Sequence, residues 1–190
     1  MRRVAVIGVG VTKFGKHEMS CAELFAQAAA DALQDADLPP SAIQALYFGN
    51  VVGGPGERQL HMGPLSASVL GIPSVPTTRV ETACATSHAA FRHAVMEIAS
   101  GASDVVLAGG AERVMHLPTE EATQYFAYAG DAVFEQSVGL TFPGVFALIA
   151  RAHMARYGTT EEQMAHVAVK NHRHGALNPK AQFQKEITVE

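Results

Sequence analysis

The sequence predicts an α/β protein in which a layered sheet, mixed or parallel, carries helices on both faces. Short apolar runs that end in glycine alternate with segments of helical periodicity, as in strand–helix–strand units. The composition, with 48% hydrophobic and 17% charged residues, is that of a globular protein. After Glu112 the alternation stops, which predicts a separate and mainly helical excursion.

Four apolar runs are predicted to form strands. The first is ended by glycines, and the third contains Pro76, which favours a position near a sheet edge or at the start of a strand. The four runs are residues 4–8, 45–49, 75–80 and 104–108.

Helices are expected between these runs and after them. Ser20 and Glu23 have the spacing of a capping box and should begin the first helix, and Thr159 with Glu162 should begin the last. Residues 50–58 hold three glycines and a proline and are expected to be a loop. Residues 115–140, interrupted by Pro118, Gly130 and Gly139, are expected to be irregular. The other predicted helices cover residues 60–70, 83–100 and 143–157, with the last ending near His172 and a polar segment following from Gly175.

Composition also limits the kind of protein. The net charge of −4, from 18 acidic and 14 basic residues, argues against a nucleic-acid-binding surface. Two cysteines are too few for a disulfide framework, which favours a reducing compartment. The apolar runs are too short for a signal peptide or a membrane span. We therefore expect a soluble, cytoplasmic protein.

Cys84 is the candidate for chemistry. It stands where a predicted strand ends and an alanine-rich helix begins, so its thiol would meet unpaired backbone N–H groups and the positive end of the helix, which favour the thiolate. A thiolate attacks carbonyl carbons readily. A small buried residue that fills the junction between strand and helix would give the same pattern. The position of Cys84 by itself leaves both interpretations open.

The order of motifs resolves this. Cys84, its alanine-rich helix and the run from Asp104 to Glu112, which ends in Ala-Gly-Gly-Ala-Glu, resemble the nucleophile region of the thiolase superfamily. Residues 6–15 are similar to a thiolase opening rather than to that of a β-ketoacyl synthase. Residues 156–163 and 169–179 resemble the sterol-carrier-type thiolases and acetyl-CoA acetyltransferases in particular.

This resemblance implies a thiolase-like N-terminal core at residues 1–114 and a loop-domain region at 115–190 that is incomplete at its C-terminus. It implies an acyl-CoA acyltransferase in which Cys84 carries the acyl group as a thioester, for thiolysis of a 3-ketoacyl-CoA or for Claisen condensation. Coenzyme A would be the carrier substrate, with no metal or redox cofactor required. Two alternatives remain: a β-ketoacyl synthase-like condensing enzyme, and a non-catalytic half-thiolase that serves as a scaffold or binds lipid.

Substrate-binding candidates follow from the same resemblance. Thr86 and Ser87 stand where many thiolases have Ser-Gly, and His88 comes next. His88 would shape the acyl pocket or pair with the thiolate, although an exposed helix histidine is the simpler interpretation. Val138 and Phe142 fall where the family's loop domain approaches coenzyme A; a Phe-Pro helix start is also ordinary packing.

Other residues are assigned no chemistry. Cys21 follows a helix cap and is expected to be a packing residue. His172 and His174 are two positions apart on a helix, which points their rings away from each other, so no metal site is predicted.

The second-half motifs of the family, one like Gly-His-Pro and one like Cys-x-Gly-Gly-Gly, do not occur in these 190 residues. Those motifs supply the groups that activate the nucleophile. The isolated chain is therefore expected to be inactive, and a second chain or a longer parent would supply the C-terminal half. Homo-oligomerisation, most simply a dimer, is also expected from the family.

Overall fold

The computed structural model describes residues 2–190, which form two compact units; Met1, included in the predicted 1–114 core, lies outside the described residues. The first unit contains the segment through Thr12 together with residues 17–117. The second unit contains Lys13–Lys16 and Pro118–Glu190. The predicted α/β class is confirmed.

The first unit is built on a parallel three-stranded sheet of order β2-β1-β3. Its strands are β1 (Ala45–Gly49), β2 (Thr77–Val80) and β3 (Val106–Gly110). Gly49 pairs with Val80 on one side and with Gly110 on the other, so the carboxyl ends of the strands are level. The helices of this unit are α1 (Cys21–Asp35), α2 (Gly53–Glu57), α3 (Met62–Leu70) and α4 (Thr86–Ser100), with 3₁₀ turns at Pro40–Ala42 and Ala83–Ala85.

Alternation along β1 directs helices to both faces of the sheet. Phe48 is fully buried in the core that α1 and α3 cover, and its ring meets Phe25 of α1 edge to face at 5.1 Å. Tyr47 lies on the opposite face, where its ring stacks on His93 of α4 and its hydroxyl donates to Glu97 at 3.0 Å. The predicted layering, with helices on both faces, is therefore confirmed.

The predicted strand at residues 4–8 is wrong, because no ladder pairs this segment within residues 2–190. Val6 and Val9 are 62% and 68% exposed. The segment lies against α1 so closely that a Cβ on Gly8 would be 2.2 Å from the carbonyl oxygen of Ala32. An apolar run becomes a strand only where a sheet edge receives its backbone, and here the backbone packs against a helix instead.

The expected loop at residues 50–58 contains the short helix α2, so this part of the prediction is also wrong. The side chain of Asn50 explains the helix, because its Oδ1 accepts the N–H of Gly53 at 2.7 Å. Arg58 ends the helix in the left-handed region, with φ of 54°.

The second unit is mainly helical, as predicted. It contains α5 (Thr119–Ala127), α6 (Phe142–Tyr157) and α7 (Glu161–Ala176), with a 3₁₀ turn at Gln136–Val138. Helix α5 lies in the stretch that was expected to be irregular. Pro118 precedes it, and Glu120 and Glu121 occupy its first turn, where carboxylates interact favourably with the helix dipole.

The capping box of the last helix lies one residue later than predicted. The hydroxyl of Thr160 accepts from the Gln163 N–H at 3.2 Å, and the side chain of Gln163 accepts from the Thr160 N–H at 3.1 Å. Thr159 instead shares a hydrogen bond with His153. The helix also continues four residues beyond His172, to Ala176.

Cys21 is a packing residue, as predicted, and is fully buried at the start of α1. Its thiol donates to the carbonyl oxygen of Ala111 at 2.9 Å. Burial, followed by the negative charges of Glu112 and Glu57, raises the pKa of Cys21 from 9.0 to about 12. A neutral thiol therefore forms part of this core.

This shift predicts a loss of stability at alkaline pH. The pKa of Cys21 is higher in the folded protein than in the unfolded chain. The stabilisation that comes from the buried neutral thiol is therefore complete below pH 9 and is lost as the pH rises towards 12. Above pH 9 the free energy of unfolding should fall up to ~1.4 kcal/mol per pH unit faster in the wild type than in Cys21→Ala. Urea unfolding over this range measures both slopes. Cys84→Ala, which removes an exposed cysteine, should keep the wild-type dependence of the unfolding free energy on pH. The same slope in the wild type and in both variants would contradict a raised pKa at Cys21.

Candidate functional site

The carboxyl edge of the sheet brings together the polar residues that follow its three strands. Asn50 directly follows β1, the turn with Cys84 follows β2, and Glu112 follows β3 by two residues. In open parallel sheets, ligands bind outside the carboxyl ends of the strands. This edge is therefore the candidate site.

Cys84 lies in a sharp turn between β2 and α4. The turn is a 3₁₀ segment, Ala83–Ala85, that leads directly into α4 at Thr86. Ala83 has φ of 46°, in the left-handed region that a residue with a Cβ rarely adopts. Cys84 is exposed, so it is not the buried junction residue of the alternative interpretation. The geometry presents a free thiol to solvent at the edge of the sheet.

The backbone of this turn has N–H groups beside the thiol. The first hydrogen bond inside the turn runs from the Ala85 N–H to the Thr82 carbonyl at 3.0 Å, so the N–H groups of Ala83 and Cys84 precede it. The N–H of Ala83 donates to the carboxylate of Glu81 at 2.5 Å. Neither of these two hydrogen bonds involves the N–H of Cys84, which lies between the N–H groups of Ala83 and Ala85 in the turn.

His88 does not act on Cys84 in this structure. It lies in the first turn of α4 and is exposed. Within residues 2–190, no hydrogen bond or ion pair joins the two side chains.

Val138 and Phe142 lie in the second unit. Val138 is 76% exposed at the end of a 3₁₀ turn. Phe142 begins α6, and its ring lies 6.4 Å from that of Phe126 and 5.1 Å from that of Phe146. A cavity of about 250 Å³ opens among these rings. Phe142 thus lines an apolar recess, whereas Val138 lies on the surface.

A network of hydrogen bonds behind the edge escaped the sequence analysis. The carboxylate of Glu112 accepts from the N–H groups of Val51 at 2.7 Å and Val52 at 3.2 Å, and from the Asn50 amide at 2.8 Å. Arg79 of β2 donates to the carbonyl oxygens of Asn50 and Val51, both at 3.1 Å. These bonds join the ends of all three strands.

Asn50 is the buried centre of this network, whereas Arg79 is half-buried and Glu112 keeps exposed surface. Asn50 is 1% exposed, and its amide also donates to the carbonyl of Ala111 at 2.8 Å. Burial raises the pKa of Glu112, and the hydrogen bonds from Val51, Val52 and Asn50 oppose that rise. Glu112 is therefore a structural acceptor. The sequence signals for this role were a carboxylate two residues after an apolar run and its place in the Ala-Gly-Gly-Ala-Glu motif.

Among residues 2–190, no cluster of three or more His, Cys, Asp or Glu side chains could hold a metal ion. No described helix is both long enough and apolar enough to cross a membrane.

Known proteins resemble this chain over nearly all of its length. The family described as thiolase, N-terminal domain, matches residues 4–190. An acetyl-CoA acetyltransferase of Methanothermobacter thermautotrophicus is 41% identical, over 100% of this chain and 49% of its own length. Sterol carrier protein 2 of Bos taurus is 34% identical, over 99% of this chain and 36% of its own.

A solved structure agrees with these relatives. The Ltp2-ChsH2(DUF35) aldolase superposes with a TM-score of 0.71 and 29% identity, over 97% of this chain and 47% of that one. The chain thus spans about half the length, or less, of the proteins it matches. Together with the exposed cysteine at the carboxyl edge of a parallel sheet, these matches show that the chain belongs to the thiolase family, whose N-terminal domain it contains.

Proposed function

We propose that this chain is the nucleophile-bearing half of a thiolase-type acyl-CoA acyltransferase. The observation that carries the proposal is the exposed thiol of Cys84 on a strained turn at the carboxyl edge of the sheet. An acetyl-CoA acetyltransferase and a benzoylsuccinyl-CoA thiolase subunit, the latter 34% identical over 100% of this chain, support a thioester of coenzyme A as the substrate class.

The reaction would proceed through an acyl-enzyme. The Cys84 thiolate adds to the thioester carbonyl of an acyl-CoA, and the tetrahedral oxyanion collapses by breaking the bond to the coenzyme A sulfur. Coenzyme A leaves with the electron pair and takes up a proton. A base supplied from outside these residues takes an α-proton from a second acyl-CoA, and the resulting carbanion displaces Cys84 as thiolate to give a 3-ketoacyl-CoA. In the reverse direction, coenzyme A cleaves a 3-ketoacyl-CoA through the same acyl-enzyme. No electron is transferred to a cofactor, and no metal is needed.

The backbone of the turn would stabilise the oxyanion. The Cys84 N–H belongs to the residue that carries the nucleophile, and the Glu81 carboxylate accepts the neighbouring N–H of Ala83. A donor that is oriented before the reaction stabilises charge that develops only in the transition state. The Cys84 N–H is therefore one element of the oxyanion hole.

The base that activates the thiol is proposed to lie outside these residues. No hydrogen bond joins His88 to Cys84 among residues 2–190, and the curated relatives are about twice as long as the region matched here. The partner half would belong to a longer parent chain or to a second chain. Val138 and Phe142 would contact the coenzyme A substrate from the second unit, and His88 would line the acyl site.

We expect brief treatment with iodoacetamide at neutral pH to label Cys84 before Cys21. Cys21 is fully buried, and with a pKa of about 12 it holds on the order of 10³-fold less thiolate than an ordinary cysteine. Peptide mass mapping reads out both sites. Cys84→Ser should abolish the fast labelling and Cys21→Ala should not; preferential labelling of Cys21 would remove the basis for a nucleophile.

Incubation of the 190-residue chain with acetyl-CoA should acylate Cys84 slowly without turnover. Claisen chemistry needs a base placed within hydrogen-bond reach, and loss of a general acid–base costs roughly 10²–10⁴-fold in rate. Intact mass spectrometry detects the acyl-enzyme, and a thiolysis assay with a longer version of the protein provides the comparison. Cys84→Ser should show neither the acyl-enzyme nor turnover in the thiolysis assay. Robust turnover by the short chain would overturn the half-enzyme assignment, and acylation only from an acyl carrier protein would favour a β-ketoacyl synthase.

A two-fold homo-oligomer is proposed on the basis of the free edge of the sheet. β2 pairs with β1 on one side only, and an unpaired strand edge tends to recruit another chain. Multi-angle light scattering should give twice the chain mass. The carbonyl groups of Pro76 and Val80 accept from β1, so the N–H of Thr77 faces the free edge of β2. Thr77→Pro removes this backbone donor, whereas Ser87→Ala on α4 leaves the edge intact. The proline variant should dissociate and the alanine variant should not; a monomeric wild type would contradict the proposal.

A further inference from the structure

Thr86 holds both sides of the strained peptide that precedes Cys84. Its hydroxyl accepts the N–H of Thr82 at 3.0 Å and donates to the carbonyl of Ala83 at 2.7 Å. The residue is buried, with 7% of its surface exposed, although it stands at the start of an otherwise accessible helix turn. One side chain therefore satisfies a donor and an acceptor of the turn at once.

The turn needs such a restraint. A left-handed conformation at a residue with a Cβ persists only where its surroundings enforce it, and Ala83 has φ of 46°. The hydrogen bonds to Thr82 and Ala83 flank the φ and ψ angles of Ala83, which set the direction of the following Cys84 N–H. Without the hydroxyl, the backbone would be free to relax towards a common conformation.

The position selects threonine by shape as well as by polarity. A Cβ added to Gly49 would lie 2.9 Å from the Thr86 methyl carbon, so the methyl group abuts the end of β1. With the methyl group fixed against the central strand, rotation about χ1 is restricted and the hydroxyl faces the turn. Valine would keep this shape without the hydroxyl, and serine would keep the hydroxyl without the methyl group.

We propose that Thr86 is a positioning residue that sets the backbone of the Cys84 turn, and so aims the Cys84 N–H and thiol at the substrate carbonyl. This inference rests on the proposed acyl transfer to Cys84. Thr86 acts through the turn and does not touch the reacting atoms. Its effect should therefore be large on acylation, which uses the oriented N–H, and small on simple alkylation, which does not.

The test compares the wild type with three variants, Thr86→Val, Thr86→Ser and Ser87→Ala. Ser87→Ala is the control, because Ser87 is the exposed neighbour of Thr86. We expect Thr86→Val to slow acylation of Cys84 by acetyl-CoA roughly 10–100-fold, because small misplacements of reacting groups have effects of this size. Alkylation by iodoacetamide should change less than about threefold. Thr86→Ser should recover most of the acylation rate, and Ser87→Ala should match the wild type.

Amide hydrogen exchange provides a readout that does not depend on function. The Thr82 N–H should exchange at least about tenfold faster in Thr86→Val, since it loses its acceptor, and near the wild-type rate in Thr86→Ser. Circular dichroism and urea unfolding establish that each variant is folded. If Thr86→Val does not fold, Thr86→Ala, which has less bulk at Gly49, takes its place.

The two proposals fail in different ways. A wild type that is never acylated overturns the proposed function, and amide exchange then decides by itself whether the hydroxyl holds the turn. A folded Thr86→Val that acylates at the wild-type rate overturns the positioning role. Thr86→Ser as slow as Thr86→Val would also overturn it, because the methyl contact rather than the hydroxyl would then be responsible.

Discussion

The approach of three backbones at the carboxyl edge of the sheet is the constraint on which the site depends. A Cβ on Gly110 would lie 2.0 Å from the carbonyl oxygen of Gly49, and one on Gly49 would lie 2.9 Å from the Thr86 methyl carbon. Glycine at both strand ends lets β1 and β3 finish level and lets the first turn of α4 seat against them. The Cys84 turn takes its place from this contact, since Thr86 is both its restraint and the residue seated on Gly49.

The polar network next to this contact serves a different purpose. Glu112 satisfies backbone N–H groups that follow β1, and Arg79 satisfies carbonyl groups of the same loop. An unpaired backbone group beside the buried Asn50 and Val52 would be costly, and the network pairs the backbone groups of the loop where it leaves the sheet. Its carboxylate and guanidinium are committed to the backbone, and Cys84 is a free, exposed cysteine at the same edge.

The two cysteines show how environment assigns roles to the same side chain. Cys21 is enclosed by the core and by nearby carboxylates, which keep its thiol protonated and inert. Cys84 stands on a 3₁₀ turn and is exposed. Membership of the thiolase family agrees with this division. The exposed cysteine is the one in the segment whose motifs resemble the family's nucleophile region.

Local sequence determined the α/β class, the helix caps to within one residue and the place of Cys84 between a strand and a helix, because these follow from periodicity and from hydrogen bonds within a few residues. The tertiary structure alone decided that residues 4–8 pack on α1 rather than join the sheet. It also decided that Glu112 supports the loop after Asn50, a contact that spans 62 residues. The role of Thr86 depends on a methyl contact with Gly49 in another strand. Such roles arise from packing between distant segments, which no local pattern encodes.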